Sequence, residues 1–331
     1  MTVRIGQELL IISESDAKSC LDMKDAIKLA EKGIRADSEH KVLGDKFYMD
    51  LGDKGFVKPF AGYIESDEHF FVKVFGLFKD NPVKHKVHST LGIVIIGDAE
   101  TGAPVSIMEA SWVTALRTGA ATAVTARYLA NPNSSAVTIF GAGTLGKTHL
   151  EGLSEVFKLE DVRVVDPVRE ARDNYSKEMS KKLGIKVEPV QSAREALKGS
   201  DIVILVTTAN EPMIKKEWLE PGMFMAKLGS FREMESEVVL SVDKVVVDRW
   251  KYSSSRVPEL RELVEKGLIS EKSIHAEYSE IVAGTKRARE SRDEKILYIA
   301  LGLWGEYAAI LPEIYRRALK KGLGVKVNFN G

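Results

Sequence analysis

The segment that most constrains this chain is Gly141-Ala142-Gly143-Thr144-Leu145-Gly146, which follows directly on the run Val137-Thr138-Ile139-Phe140 and leads into a helical pattern over residues 147–157. A strand that turns through glycines into a helix is a phosphate-binding device. The glycines permit the tight turn and let a pyrophosphate come close to the backbone, and the helix N-terminus attracts its charge. Asp166 ends the next predicted strand, 20 residues after Gly146, where a carboxylate accepts hydrogen bonds from the hydroxyls of an adenosine ribose. Its charge favours NAD and repels a 2′-phosphate, while the neighbouring Arg163 and Arg169 keep NADP open. The same residues also suit a plain strand-to-helix turn with Asp166 as a helix cap, and calorimetry with NAD(H) and NADP(H) separates the two readings.

From residue 134 onward, β-branched runs alternate with helical patterns, which predicts a parallel sheet covered by helices. Strands are expected at residues 134–140, 162–165, 186–190, 201–207, 223–228 and 244–247, with helices at 168–183 and 193–198. This is an α/β, doubly wound arrangement. The first third differs: residues 71–78 and 91–96 read as strands, and residues 23–38 as a helix with Ile27, Ala30 and Ile34 on one face. A separate α+β domain follows. A long helix over residues 112–129, ended by Asn131-Pro132-Asn133, joins the two. The last helical stretch, roughly 295–321, is expected to return to the first domain and make it discontinuous.

Composition narrows the function classes. At 331 residues and 44% hydrophobic content the chain can bury two cores. Lys plus Arg equals Asp plus Glu at 48 each, so no net field holds the chain on nucleic acid or an anionic membrane, and neither is an expected partner. Anion recognition must be local. The single cysteine, Cys20, excludes an internal disulfide and a multi-cysteine metal site and fits a cytoplasmic location. The apolar run 9–12 is too short for a signal peptide. The longest apolar stretch, 296–311, contains Glu306, precedes Pro312, and falls short of the ~20 residues that span a bilayer; it reads as a buried helix. His85 and His88 are three apart, but Asn81-Pro82 indicates a loop and nothing nearby completes a ligand set, so no metal is expected. Arg316, Arg317, Lys320 and Lys321 suit a solvated helix C-terminus.

Three segments in order, Ile107-Met108-Glu109-Ala110, Thr114-Ala115-Leu116-Arg117-Thr118-Gly119-Ala120-Ala121 and the glycine motif, resemble the ornithine cyclodeaminase/μ-crystallin family. Lys73-Val74 with Asn81-Pro82, Asp98-Ala99-Glu100-Thr101-Gly102, and Glu280-Ile281-Val282-Ala283-Gly284 extend the resemblance over nearly the whole chain. It implies a homodimer with a substrate-binding and dimerisation domain from residues 1–118 and 301–331, and a Rossmann dinucleotide-binding domain over 119–300. Members include cyclodeaminases, alanine and arginine dehydrogenases, ketimine reductases and a crystallin that binds thyroid hormone.

The resemblance further implies a basic trio on the substrate carboxylate, carried over to Lys73, Arg117 and Lys46, of which Lys73 and Arg117 are the catalytic candidates. Lys46 follows Gly44-Asp45 in place of the usual proline-containing approach, and lysine offers a point charge without arginine's bidentate fork. Arg117 also speaks for itself. It sits in a helical pattern among Ala115, Leu116, Ala120 and Ala121, where a guanidinium needs an anionic partner; a substrate carboxylate and a structural one such as Glu109 or Asp98 both qualify. Lys73, in a strand among Phe71, Val72, Val74 and Phe75, ordinarily reads as solvated. Thr118 and Thr207 match family residues on the cofactor side, and each also reads as a cap.

One departure bears on the reaction. Cyclodeaminases of the family carry a catalytic aspartate after the fifth strand, where this chain reads Leu228-Gly229-Ser230-Phe231-Arg232-Glu233-Met234-Glu235. Phe231 occupies the aspartate's position and cannot act as a general base. Glu233, Glu235, Asp50 or Lys73 are the candidates to replace it, and Arg232 is a candidate contact for a second acidic group on the substrate. The expectation is an NAD-dependent enzyme acting at the α-carbon of a small amino or imino acid, as in conversion of L-ornithine to L-proline plus ammonia. The alternatives are an alanine or other amino-acid dehydrogenase, a ketimine reductase, and a non-catalytic nucleotide-bound binding protein.

Overall fold

The computed structural model describes residues 2–330. The chain forms two compact units, Met1–Arg117 with Trp304–Gly331, and Thr118–Leu303. The boundary falls inside the helix Ser111–Leu129.

The first unit is built on a mostly antiparallel sheet. Its strands lie in the order Val325–Asn328, Glu8–Ile12, Pro104–Glu109, Thr90–Asp98, His69–Leu77, Phe56–Ile64, Val42–Lys46, with Met49–Asp50 beside Phe56–Ile64. Successive strand residues point to opposite faces, and burial follows that period: Lys58, Phe60 and Ile64 alternate inward along one strand, Phe71, Lys73 and Phe75 along the next. The helices Met23–Ser38 and Trp304–Lys321 pack together, and the second packs on the Phe56–Ile64 strand. Met23–Ser38 starts at Asp22, whose carboxylate accepts from the Asp25 amide at 2.8 Å, and buries Ile27, Ala30 and Ile34. The two helices touch at glycines. A Cβ on Gly33 would lie 2.1 Å from the Gly305 carbonyl oxygen, and one on Gly305 2.6 Å from that of Gly33. Only residues without a side chain allow so close a crossing.

The second unit is the doubly wound sheet expected from the alternation. Eight strands run in the order Val187–Val190, Asp161–Val165, Ala136–Phe140, Ile202–Leu205, Phe224–Leu228, Ile296–Ala300, Lys244–Val247, Ala276–Glu277, and every pairing is parallel. The strands expected from sequence recur within two residues. The exception is the stretch 296–311, read as a helix. Ile296–Ala300 is instead a strand in the middle of the sheet, and the helix begins at Trp304. A strand covered on both faces is apolar at every position and shows no period of two, so Ile296 to Ala300, all buried, resembled the start of the apolar helix that follows. Gly302, at φ +83°, separates the two elements.

Candidate functional site

Four cationic side chains of the first unit are less than a tenth exposed: Lys73 at 0%, Lys58 at 6%, Arg117 at 7% and Lys46 at 8%. The sheet register explains three of them. Lys46 lies opposite Phe60, and Phe60 opposite Lys73, so these residues form one rung on the buried face. Lys58 lies opposite Phe75 on the same face. Arg117 comes from the helix Ser111–Leu129, whose start is held by Glu109: its carboxylate accepts from the amides of Ser111 at 2.6 Å and Trp112 at 3.2 Å.

Lys73 and Arg117 meet at Tyr307. The Lys73 ammonium donates to the Tyr307 hydroxyl at 2.8 Å and to Thr114 Oγ1, and stands 4.4 Å from the centroid of the Tyr307 ring. The Arg117 guanidinium carbon is 4.5 Å from the same centroid, and Nη1 pairs with Glu306 Oε2 at 2.9 Å. Arg117 Nε is a buried donor with no hydrogen-bond acceptor among the described residues. Burial, then the charge of Arg117, push the Lys73 ammonium well below its ordinary value, against a weaker pull from Glu109. Burial also acts against the charge of Arg117, but Tyr307 and Glu306 outweigh it and hold the guanidinium above its ordinary value. Of the two structural partners weighed for Arg117, Glu109 is committed to the helix start and Asp98 to the Thr101 amide at 2.8 Å. The ion-pair partner is Glu306, which sequence reasoning missed because it sits in an apolar run.

Lys58 was also missed. Its ammonium lies 4.7 Å from the Phe75 centroid, 5.2 Å from that of Tyr48 and 5.5 Å from that of Phe60. The one sequence signal was its spacing of two and six from the inward Phe60 and Ile64.

In the second unit, Gly141 adopts φ +107°, and a Cβ there would meet the Val206 carbonyl oxygen at 2.7 Å. A Cβ on Gly146 would come within 2.2 Å of the Gly141 carbonyl oxygen, whereas the space beside Gly143 is open. Gly143 is also the N-cap of the helix Thr144–Val156, which no side chain caps. Its first turn therefore starts without a side-chain cap. Thr144 and Leu145 form the first turn, and the Leu145 carbonyl accepts from Thr148 Oγ1 at 3.0 Å. Asp166 closes the turn: Oδ2 accepts from the Ala142 amide at 3.0 Å and Oδ1 from the Val168 amide at 2.9 Å. Arg163 is drawn away to Asp161 and to the Ala196 carbonyl at 2.9 Å, while Arg169 is exposed, 3.5 Å from Asp173.

Thr118 is buried in its helix. Thr207 is tied to its neighbours, its amide and hydroxyl reaching Glu233 Oε1 at 2.7 and 2.8 Å. That contact belongs to a buried network. Lys227, Glu233 and Glu259 are all fully buried, with the Lys227 ammonium 3.6 Å from a carboxylate oxygen of each. Lys227 also donates to the carbonyls of Gly229 at 2.9 Å and Phe231 at 2.8 Å, and Glu259 accepts from the Glu233 amide at 2.9 Å. The loop that carries the aspartate in cyclodeaminases is thus held from within. Burial raises Glu233 above the ordinary carboxylate value, against the pull of Lys227. Glu235 pairs with Lys215 at 3.7 Å, Arg232 with Glu262 at 2.8 Å, and exposed Asp50 accepts from the Gly52 amide at 2.9 Å. Of the four replacements considered for the missing aspartate, Lys73 is the one among the buried cations.

Among the described residues, no three His, Cys, Asp or Glu side chains gather as metal ligands. None of their helices is long and apolar enough to cross a membrane.

A model of the ornithine cyclodeaminase/mu-crystallin family matches residues 8–322. The chain belongs to that family. An alanine dehydrogenase of Archaeoglobus fulgidus is 30% identical over 97% of this chain and 99% of its own length. The structure of Thermococcus litoralis Delta(1)-pyrroline-2-carboxylate reductase in complex with NADH and L-proline is similar at TM-score 0.93 and 35% identity, covering 96% of this chain and all of that one. That of an archaeal alanine dehydrogenase dimer with bound NAD is similar at TM-score 0.89 and 29% identity, covering 97% of this chain and 99% of that one.

Proposed function

We propose that this protein is an NAD(H)-dependent oxidoreductase that interconverts an α-amino acid and its α-imino acid, as an amino-acid dehydrogenase or imine reductase. The observation that carries the reading is the buried Arg117 Nε, a donor with no acceptor among the described residues, beside the Lys73 ammonium at a shared tyrosine. A carboxylate satisfies both. Arg117 and Lys73 give it charge-assisted hydrogen bonds, Lys46 adds a third positive charge on the same sheet face, and the rings of Phe60, Phe75 and Tyr307 keep the surroundings apolar, so that these attractions are weakly screened. In this reading the first unit binds substrate and forms the homodimer, and the second binds the dinucleotide.

The open space beside Gly143 and the uncapped helix start fit a pyrophosphate, and Asp166 stands where ribose hydroxyls bind, with Thr118 a further hydroxyl for the phosphates. Thr207, bound to Glu233, serves there by shaping the strand end. The two relatives with bound NAD or NADH, and the diversion of Arg163, favour NAD over NADP. The bound nicotinamide supplies the hydride acceptor or donor. Lys73 and Arg117 supply the orientation of the α-carbon, which is where positioning enters the rate. Ornithine cyclodeamination is the weaker reading, because position 231 lacks a titratable group, Glu233 is turned into the protein and Glu235 is paired with Lys215. A cytoplasmic location belongs to the same reading, from the single cysteine.

The test is a screen of α-keto acids with ammonia and of cyclic imines with NADH, and of L-amino acids with NAD, with product mass recorded. Turnover on at least one pair is expected. Dinucleotide binding with no turnover on any of them would leave a non-catalytic binding protein.

A further inference from the structure

Two loops of the second unit leave the carboxyl ends of adjacent parallel strands, residues 206–214 after Ile202–Leu205 and residues 229–235 after Phe224–Leu228. That edge of a doubly wound sheet is where ligands bind. The backbone ties the loops together: the Met213 amide donates to the Glu233 carbonyl and the Glu235 amide to the Ile214 carbonyl, both at 3.0 Å. The Glu233 side chain then reaches back to the start of the first loop, where its Oε1 accepts from the amide and the hydroxyl of Thr207. Thr207 in turn lies against the glycine turn. A Cβ on Gly141 would stand 2.7 Å from the Val206 carbonyl oxygen and 3.5 Å from Thr207 Cγ2.

This tie is made in a costly way. Lys227, Glu233 and Glu259 lie in the core, and the Oε2 atoms of both glutamates are buried with no hydrogen-bond partner among the described residues. Each stands 3.6 Å from the Lys227 ammonium, whose own hydrogen bonds go to the carbonyls of Gly229 and Phe231. A buried carboxylate oxygen left without a hydrogen bond is destabilising, and apolar side chains of similar volume often replace a buried ion pair with no loss of stability. Departures of this kind concentrate at functional sites. The direction of the bonds gives Thr207 its part. Its hydroxyl donates its proton to Glu233 and accepts from the Ala209 amide at 3.2 Å, so it has none to offer a phosphate. What remains to it is placement of the strand end beside Gly141.

We infer that Glu233 is a positioning residue for the dinucleotide: held by Lys227 and Glu259, it fixes Thr207 against the glycine turn and so sets cofactor affinity without touching the cofactor. The inference rests on the reading that this turn binds the pyrophosphate.

The test compares NADH affinity, read by fluorescence titration of the full chain well below its melting temperature, with thermal unfolding of the same variants. Glu233→Leu removes both bonds to Thr207 and should weaken NADH about 10-fold, whereas Glu233→Gln keeps an acceptor oxygen and should stay within about 3-fold of the wild type. In both variants Lys227 keeps a carboxylate partner in Glu259. Thr207→Val removes the hydroxyl and should weaken NADH about fivefold. The double variant Thr207→Val with Glu233→Leu should bind as Glu233→Leu does, because both changes act through one contact. Additive losses, or wild-type affinity in a folded Glu233→Leu whatever its melting temperature, would overturn the positioning role and leave the oxidoreductase reading intact. If Glu233→Leu fails to fold, Glu233→Gln and Thr207→Val decide, and wild-type affinity in Thr207→Val overturns the role. The expected pattern in a protein that turns over no amino, imino or keto acid would uphold the role and overturn the oxidoreductase reading. A wild type that binds neither NADH nor NADPH would overturn both.

Discussion

Lys73 and Arg117 share one aromatic ring, their charged groups 4.4 and 4.5 Å from the centroid of Tyr307. Two buried like charges repel, and Coulomb's law makes that repulsion stronger in an apolar setting. The tyrosine eases it in two ways. Its π-face attracts each cation, and its hydroxyl accepts from Lys73 at 2.8 Å.

Tyr307→Phe therefore separates the two effects. The ring stays and the acceptor goes, leaving a Lys73 proton without its partner. Loss of one such bond is worth about 1 kcal/mol. We expect KM for the carboxylate substrate to rise about fivefold on that figure, with NADH affinity, read by fluorescence, unchanged. A fall in kcat at constant KM would contradict this positioning role.

Arg117→Ala should lower kcat/KM by about 30-fold or more and leave NADH binding in place. It should also destabilise the protein by about 3–5 kcal/mol, since Glu306 is left as a buried, unpaired charge. The double variant Arg117→Ala with Glu306→Gln should recover most of that stability in thermal unfolding and none of the activity. Recovery of both would mean that the guanidinium serves the fold alone.

Substrate affinity should depend on pH through Lys73. Burial, and Arg117 beside it, hold the ammonium well below its ordinary value, with Glu109 opposing. Its charged form binds the carboxylate, so 1/KM should fall as pH rises through the folded-state value, and this limb should vanish in Lys73→Met. The folded state binds the Lys73 proton less tightly than the unfolded chain does. Stability should then rise with pH between the folded value and the ordinary lysine value, and fall as pH drops through the folded one. A melting temperature whose pH slope is the same in wild type and Lys73→Met would refute this.

The glycine turn makes a paired prediction. Gly143→Ala adds a methyl group where nothing lies within 4 Å, so the melting temperature should hold while NADH affinity drops, the methyl standing in the phosphate's way. Gly146→Ala drives a methyl to within 2.2 Å of the Gly141 carbonyl oxygen and should destabilise by about 1–3 kcal/mol, as overpacking does. Equal NADH affinity in Gly143→Ala and wild type would remove the pyrophosphate from this turn.

What the sequence disclosed was local in character. The glycine turn, Asp166 and the helix Met23–Ser38 declare themselves through contiguous patterns, and Lys73 and Arg117 through motif order. The missed features depend on distant partners. Lys58 faces inward because its strand pairs with His69–Leu77 in one register, and a slip by one residue would put it in solvent. Tyr307 and Glu306 lay in an apolar run that declared burial and nothing of direction. The Lys227–Glu233–Glu259 network joins residues up to 32 positions apart. Ile296–Ala300 has no period, because both of its faces are covered.

The contact between Gly33 and Gly305 has a consequence for how the cluster of Lys73, Arg117 and Tyr307 is maintained. Gly305 immediately precedes Glu306 and Tyr307 on the C-terminal helix, so the depth at which that helix seats against its neighbour also sets where the tyrosine ring stands between the two cations. A single methyl at either glycine acts as a spacer, lifting the ring away while leaving every polar residue of the cluster in the chain. The geometry of the cation cluster is thus calibrated by two glycines, neither of which brings a polar side chain to it.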